Sequence, residues 1–510
     1  MGSHCVKRRL SFFTGALCLL LCLLTVQAAA SNTVTVDVTG GSLTFDKSTG
    51  TITKGSGTAL VIPAEIDGVA VTAIGPNAFT EKYGANTLTS VQFPEGLTDI
   101  GADAFNPCYN LTAVQLPGSL RSIGNSAFCN CGSLRMPDLP DGIKSIGSYA
   151  FSVGALQTYP NVSDPATVKL PASLETMEKN AFGGRYKVTA YAIAGSNASF
   201  KCVDGCLYSK DGKTFVSCPA GRAGAVSVAA GVTELAPFSF FECKNLTAVT
   251  LPEGLRTVGS WAFADCSALT SLQLPESLTT IESFSFSGLL ALKELRIPKA
   301  VSTIENYAMT SCTSLERVTL PNAVTHLSSN LLDNCRALTE VFVPDGVTEL
   351  SGSVFANCGA MQALALPDSL DTIYSNCLSS VSQGTFTDVY FAGDEQVWQA
   401  LNIVESNTVL QSATVHYNSC GTVWDSGKTE QLRWLLRKDN SVWVGGDLSK
   451  ASPAVAAVYN SAGRMLSVRI LTGEGSFTAS AGQNVRIYWL NAATLAPRAS
   501  AVTLNIPARN

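Results

Sequence analysis

A proline recurs every 23 residues through most of this chain. Pro252, Pro275, Pro298, Pro321, Pro344 and Pro367 keep that step, and Pro94, Pro117 and Pro140 keep it earlier. A fixed period of this length implies one short structural unit stacked many times. Ahead of the prolines stand "VTL", "LQL", "LRI", "VTL", "VFV" and "LAL". This apolar–polar alternation suits a short strand with one buried face. Proline then ends the strand, because it has no N–H for the next rung. A second apolar group follows in each copy, as in "LRTVGSWAF", "LTTIESFSF", "VSTIENYAM", "LTDIGADAF", "LRSIGNSAF" and "IKSIGSYAF". Its "LxxI" makes a second extended pass, a small residue turns the chain, and "AF" sends a large side chain inward. One such coil cannot bury its own apolar side. Stacked coils can, so stability becomes a sum over neighbours.

The expected fold is therefore a β-rich solenoid of about fourteen coils, some 60 Å long at the ~4.8 Å spacing of paired strands. It is expected over 31–392. Irregular copies fit the same ruler: Pro63 and Pro171 head coils beside longer connections, and Ala194 and Ala229 stand where proline is due. Between them, "CVDGCLYSKDGKTFVSC" reads as a hairpin insert at about 200–220, turning at Asp211-Gly212 and protruding from one edge. Residues 393–419 read as a less regular terminal cap, which the last coil needs because it has no neighbour. The period then stops. After a Gly/Ser linker near 418–428, alternating runs such as "AVYNSAGRMLSVRI" and "NVRIYWL" predict a small all-β domain over 429–510.

Composition narrows the function classes. The 510 residues are 46% hydrophobic and 14% charged with net charge −5, too apolar for a disordered chain and not basic enough to suggest nucleic acid. Lys7, Arg8 and Arg9, an apolar run from Leu10 to Val26 and "QAAAS" read as a secretory signal over 1–30, cleaved after Ala30. An uncleaved anchor is the rival, but the run is short and ends in a small-residue motif. No later stretch is apolar enough to span a bilayer. The expectation is a secreted or extracellular protein, held at a cell surface only non-covalently if at all, since no cell-wall sorting signal is recognised.

The repeat itself points to a family. "LTAVTLPEGLRTVGSWAFADCSALTSLQLP" resembles the BspA-like leucine-rich repeats, whose pattern is L-x-x-I-G-x-x-A-F-x-x-C-x-x-L-x-x-V-x-L-P. The likeness runs over roughly 58–392. "VDGCLYSKDGKTFVSCPAG" is similar to a hairpin unit common in that family, and "DVYFAGDEQVW…ATVHYNS" to its terminal unit. The C-terminal runs look like a small β module of bacterial surface proteins. The resemblance implies a surface or secreted protein of microbes living on host mucosa. It further implies adhesion to host or microbial proteins, and no shared catalytic residues.

Residue by residue, catalysis finds little support. Three histidines are present in the whole chain. His326 falls in a slot where other coils carry polar residues, and His416 falls in the cap. No G-x-S-x-G, H-E-x-x-H, phosphate loop or EF-hand-like run occurs. No catalytic, cofactor-binding or metal-binding residue is assigned, and no cofactor is expected. An extracellular hydrolase using the solenoid as a targeting arm, or a structural surface spacer, remains the rival reading.

Cys108, Cys131, Cys243, Cys266, Cys312, Cys335 and Cys358 each lie 14 residues after their coil's proline position. Leu289 fills the slot after Cys266, so the column reads as buried, with each thiol acting as a small hydrophobe. Disulfides between neighbours stay geometrically open, since adjacent coils stand about 5 Å apart. A metal needs ligands converging from several directions. In the hairpin, a bridge from Cys202 or Cys206 to Cys218 stays open.

Two surfaces are candidates for binding a protein partner. The first is the strand face, where Glu294, Arg296, Arg317, Glu340 and Phe342 are expected to lie together and exposed within three coils. Ordinary cross-strand ion pairing is the alternative there. The second is a column of Phe238, Trp261, Phe284 and Tyr307 in one register of four successive coils. Simple lateral packing is its alternative.

Overall fold

The proline period becomes a parallel stack. The computed structural model describes residues 32–80, 87–154, 164–193, 195–424, 431–436, 441–446, 454–460, 462, 464–471, 475–479, 483–490 and 502–505. The signal expected at 1–30 lies outside the described residues.

Three hydrogen-bonded columns run along the stack. The strands before proline pair in parallel one coil apart, with Ala113–Gln115 on Ser90–Gln92 and Ala363–Leu366 on Glu340–Phe342. The "LxxI" passes form the second column. Asp99–Ile100, Ser122–Ile123, Ser145–Ile146 and Thr176–Met177 follow one another in one sheet, Ile123 opposite both Ile100 and Ile146. At the third corner the amides of Phe105, Phe128, Phe240 and Phe263 donate to carbonyls of the next coil at 2.7–2.8 Å.

Inside, the "AF" phenylalanines stack ring on ring. Phe79, Phe105, Phe128, Phe151 and Phe182 follow at centroid distances of 4.7, 5.0, 5.3 and 5.7 Å, with planes within 7°. Phe215, Phe240, Phe263 and Phe286 form a second run at 4.5, 4.9 and 5.8 Å. The coil spacing sets the stacking distance, so one inward residue type in one register produces the stack.

Two details differ from the periodic expectation. The stack expected from 31 does not open with a coil among the described residues: Thr33–Val38, Gly41–Asp46 and Thr51–Gly57 form an antiparallel meander. Only its third strand pairs in parallel with Ala73–Ile74 and so starts the stack. This closes the first coil's open side. The insert also does more than protrude. Phe200–Val203, Cys206–Ser209 and Thr214–Ser217 make a three-stranded meander with two turns, and the last strand pairs in parallel with Glu234–Leu235. Its first turn is Asp204-Gly205, both at positive φ of 48° and 74°, as a tight two-residue hairpin requires. Phe215 then takes the inward slot against Phe240. The strand Cys206–Ser209 divides the apolar interior: Leu207 belongs to the core of the earlier coils, and Cys206 and Tyr208 to that of the later ones. A strand points successive side chains to opposite faces, so it can serve two cores at once.

The cap over 393–419 is the last coil with two short helices inserted. Helix Glu395–Ala400 is capped by Asp394, whose Oδ1 accepts the Val397 amide at 3.0 Å. Asn402–Ile403 and Thr414–His416 then extend the two strand columns.

The stretch read as a linker near 418–428 carries strand Cys420–Trp424 instead. It opens an antiparallel sheet with Gln431–Leu436, Ser441–Gly446 and Gly475–Thr478. A second sheet runs Met465–Leu471, Ala454–Tyr459, Asn484–Trp489, Val502–Asn505. Trp434, Val442 and Val444 of the first share a core with Ala456, Val458, Leu471, Val485 and Ile487 of the second. Among the described residues no helix is long and apolar enough to cross a membrane.

Candidate functional site

The five strand-face residues are placed unequally. Glu294, Arg296 and Arg317 are exposed, while Glu340 and Phe342 are half-buried. Glu294 sits opposite Arg317 in the ladder and pairs with it. Arg296 pairs with Glu276 at 2.5 Å, and neighbouring Lys293 with Glu316 at 3.0 Å. The charges of this face are therefore spent on each other across strands, at a gain of about 0–1 kcal/mol per exposed pair. Phe342 packs instead on a cluster of Ala363, Ala365, Tyr390, Cys420 and Leu435. Leu435 comes from the C-terminal module, which covers the strand face at that end. The periodic pattern cannot announce this, because it places side chains outward without saying what lies over them.

The aromatic column is a different object. Phe238, Trp261, Phe284 and Tyr307 stack at centroid distances of 5.9, 4.2 and 4.6 Å, with planes within 12°. Phe241 meets Phe238 and Trp261 edge-on at 5.2 and 6.0 Å, and Lys179 Nζ lies 5.6 Å over the Phe238 ring. All four are half-buried. All four also adopt left-handed backbone, with φ of 62°, 60°, 58° and 59°. Other coils turn the same corner with Asn77, Asp103, Ser126, Asn180, Asn330, Ser353 and Asn376, and one with a further aromatic, Tyr149, whose ring meets Phe238 edge-on at 5.7 Å. Small polar residues tolerate that conformation, and bulky ones do so at a cost. The sequence signal for this corner was present: it is the column where most copies carry Asn, Asp or Ser.

The cysteine column lies inside. Cys108, Cys131, Cys243, Cys266, Cys312, Cys335 and Cys358 are each at most 1% exposed, and Leu289 is equally buried. Each of five thiols has a backbone carbonyl of the preceding coil as acceptor. The Sγ atoms of Cys131, Cys266, Cys312, Cys335 and Cys358 lie 3.0–3.3 Å from the carbonyls of Phe105, Phe240, Phe286, Met309 and Leu332. This explains cysteine over alanine at that slot, since the S–H gives a buried carbonyl a weak donor. The described cysteines, those of the hairpin included, are all free thiols. Among the described residues no group of three or more His, Cys, Asp or Glu side chains converges as a metal site would require.

A repeat model for the BspA type leucine rich repeat region matches six copies, over residues 72–206, 233–362 and 318–390. The chain belongs to the BspA-type leucine-rich repeat family. Its BspA-type coils are the stack described above, and the matched ranges leave out the meander at the start and the C-terminal module. No curated protein matches the chain. Among solved structures, it is similar to the pneumococcal vaccine antigen PcpA at 21% identity, with 73% of this chain and 98% of that one covered and a TM-score of 0.48. A leucine-rich repeat protein from Eubacterium ventriosum is 22% identical, with 69% and 91% covered and a TM-score of 0.46. A leucine rich cell surface protein from Faecalibacterium prausnitzii is 20% identical, with 72% and 97% covered and a TM-score of 0.40. At these scores the likenesses add nothing to what the BspA-type coils already establish.

The two histidines within the described residues each face a carboxylate. His326 Nδ1 lies 3.3 Å from Glu349, exposed on the flank of a BspA-type coil. His416 Nε2 lies 2.8 Å from Asp388, with its ring stacked on Tyr390. His416 sits in the strand Thr414–His416 and ties the last coil to its neighbour.

Burial pushes the column thiol of Cys358 up to about 12 and that of Cys266 higher still, and it pushes Cys377, which lies outside the column, up to about 12. Thiolate is the reacting species, so these cysteines are expected to resist an aqueous thiol reagent in the native protein and to react after denaturation. The half-buried Cys129 and Cys202, pushed by burial up to about 11, are the only described ones expected to label slowly. Mass spectrometry finding a Cys243–Cys266 or Cys335–Cys358 bridge would overturn the assignment of this column as structural thiols.

Proposed function

We propose that the protein is a secreted or surface-associated adhesion protein that binds a host or microbial surface protein through its lateral aromatic strip. The observation that carries this reading is the left-handed backbone at Phe238, Trp261, Phe284 and Tyr307. Holding a bulky residue there costs on the order of 1–2 kcal/mol. Stacking returns about 0.5–1.5 kcal/mol per pair. The strip thus brings little net stability, although neighbouring coils solve the same turn with asparagine at no such cost. Strain retained in four successive coils is accounted for by binding. Aromatic side chains supply most of the energy of protein interfaces, and leucine-rich repeats serve widely as protein-binding scaffolds. The ring faces are already taken up by one another, so a sugar ring finds little open face to stack on. A protein surface can lie along the ring edges.

The test begins with a pull-down of the purified mature chain against mucosal and matrix proteins. Trp261→Asn/Phe284→Asn is then expected to weaken the captured interaction by more than about 2 kcal/mol, while leaving the melting temperature nearly unchanged. Arg317→Ala/Phe342→Ala is expected to matter much less. Equal binding by the aromatic variant and the parent rejects the strip, and a loss confined to the second variant returns the site to the strand face.

A further inference from the structure

The three cysteines of the insert are not equivalent. Cys202 stands opposite Leu207, on the strand Phe200–Val203, and its side chain packs on the core of the earlier coils. Cys206 and Cys218 belong to the core of the later coils and are 1% and 4% exposed. The strand Cys206–Ser209 separates Cys202 from the strand that leads into Cys218, which sets those two about 10 Å apart and on opposite faces. Phe215 precedes Cys218 by three residues, as Phe240 precedes Cys243, so Cys218 is the insert's member of the buried column. Cys206 has no counterpart in the repeat.

Leu207 pairs with Ser217 across the antiparallel ladder, and one step further sets Cys206 opposite Cys218. The irregularity of this pair falls on the other side, between Leu207 and Tyr208. The Cys218 amide donates to the Ser239 carbonyl of the next coil at 2.7 Å, so the two cysteines do not exchange both backbone bonds. Facing residues of an antiparallel pair have Cα atoms about 4.5–5.5 Å apart, inside the range of roughly 4.4–6.8 Å that a disulfide spans. The thiols of Cys206 and Cys218 are hydrogen-bonded to each other, and that of Cys218 also reaches Cys243. Column thiols such as Cys131 and Cys266 are held by a carbonyl at 3.2 and 3.0 Å, whereas the Cys218 Sγ meets the Pro219 carbonyl at 3.8 Å, a much looser hold. We infer that Cys206 and Cys218 are a modification site, which a small-molecule disulfide oxidises to a Cys206–Cys218 bridge. One cysteine attacks the reagent's S–S bond and releases a thiol, and the other attacks the mixed disulfide and releases the second. Two protein S–H bonds and the reagent's S–S bond break, while one protein S–S bond and two reagent S–H bonds form. The two electrons and two protons lost by the protein pass to the reagent. The hydrogen bond to Cys218, and then burial, push the Cys206 thiol up, so exchange takes place while the insert is open and ends when it closes. The bridge fastens the strand that serves both cores to the first coil of the later one. This inference is independent of the aromatic strip.

Disulfide mapping of the full-length chain tests it. The protein is equilibrated with reduced and oxidised glutathione, once in its folded form and once while refolding from urea, then digested without reduction and analysed by mass spectrometry. The expected result is a linked pair of peptides carrying Cys206 and Cys218, lighter by two hydrogens than the free pair. Oxidation is expected to raise the melting temperature of the parent. Cys206→Ser is expected to lose both the link and that rise, and Cys202→Ser to keep both. The mapping is made on the parent itself, so it stands even where a variant folds poorly. Absence of the link from both preparations overturns the proposal, as does a link from Cys202 or Cys243 to Cys218 in its place. A linked parent that melts no higher than its reduced form overturns the fastening role of the bridge.

Discussion

Phe263→Ala is expected to lower stability by about 3–5 kcal/mol, the usual cost of deleting a buried phenylalanine. The ring is fully buried and sits between Phe240 at 4.9 Å and Phe286 at 5.8 Å. Its removal takes away two stacking partners and leaves a void that neighbouring coils cannot close without breaking their own register. Coupling in such a stack is between nearest neighbours. Hydrogen exchange should therefore accelerate first in the coils headed by Ala229 and Pro275, and hardly at all near Phe128. Faster exchange spread evenly over the whole chain would count against a stack held by neighbour contacts.

A second large effect is expected at Arg185, whose side chain is 2% exposed. Its Nε donates to the Phe151 carbonyl at 2.8 Å and its Nη1 to the Leu134 carbonyl at 2.6 Å. Nη1 also lies 3.3 Å from Asp164, itself buried, which accepts the Met136 amide at 2.8 Å. The pair fills the place where the coil period is interrupted, and it satisfies backbone groups that a regular neighbour would otherwise meet. Arg185→Met leaves a buried carboxylate without its counter-charge, so a loss of about 3–5 kcal/mol is expected. Replacing both partners, as in Arg185→Met/Asp164→Leu, should recover part of that loss because no lone charge remains. Urea titration of the two variants separates the cases. A double variant no more stable than the single one would show that the carbonyl bonds, not the charge, are what matter.

The stack was legible in the sequence because it rests on repetition. Prolines 23 residues apart, inward phenylalanines and the cysteine column each fix one position of the coil, and a slip in any of them would misplace every other. What was not legible depends on a single occurrence. Arg185 and Asp164 are an isolated pair across an irregular stretch, and their types alone suggest a solvated surface. Phe342 looks like an outward anchor until Leu435, 93 residues later, lies over the same cluster. The strand at Cys420–Trp424 was read as a linker because it follows directly on the cap and its turn residues resemble those of a linker. The aromatic strip was visible as a column, but its meaning was not. The Asn, Asp and Ser of other copies mark that corner as a left-handed turn, and the backbone dihedrals show the four rings held in it.

The strand Cys206–Ser209 gives its side chains alternately to two interiors, Leu207 to one and Cys206 and Tyr208 to the other. Phe263 and Arg185 fall on opposite sides of it. It works like a bulkhead in a hull: a breach in one compartment does not by itself flood the other. A chain built this way can gain or lose whole 23-residue coils on one side while the opposite side keeps its own seal, so the reach of each half can drift separately over generations. Pulled from its ends, it should give way in two stages, with the weaker half lengthening first and the other still holding.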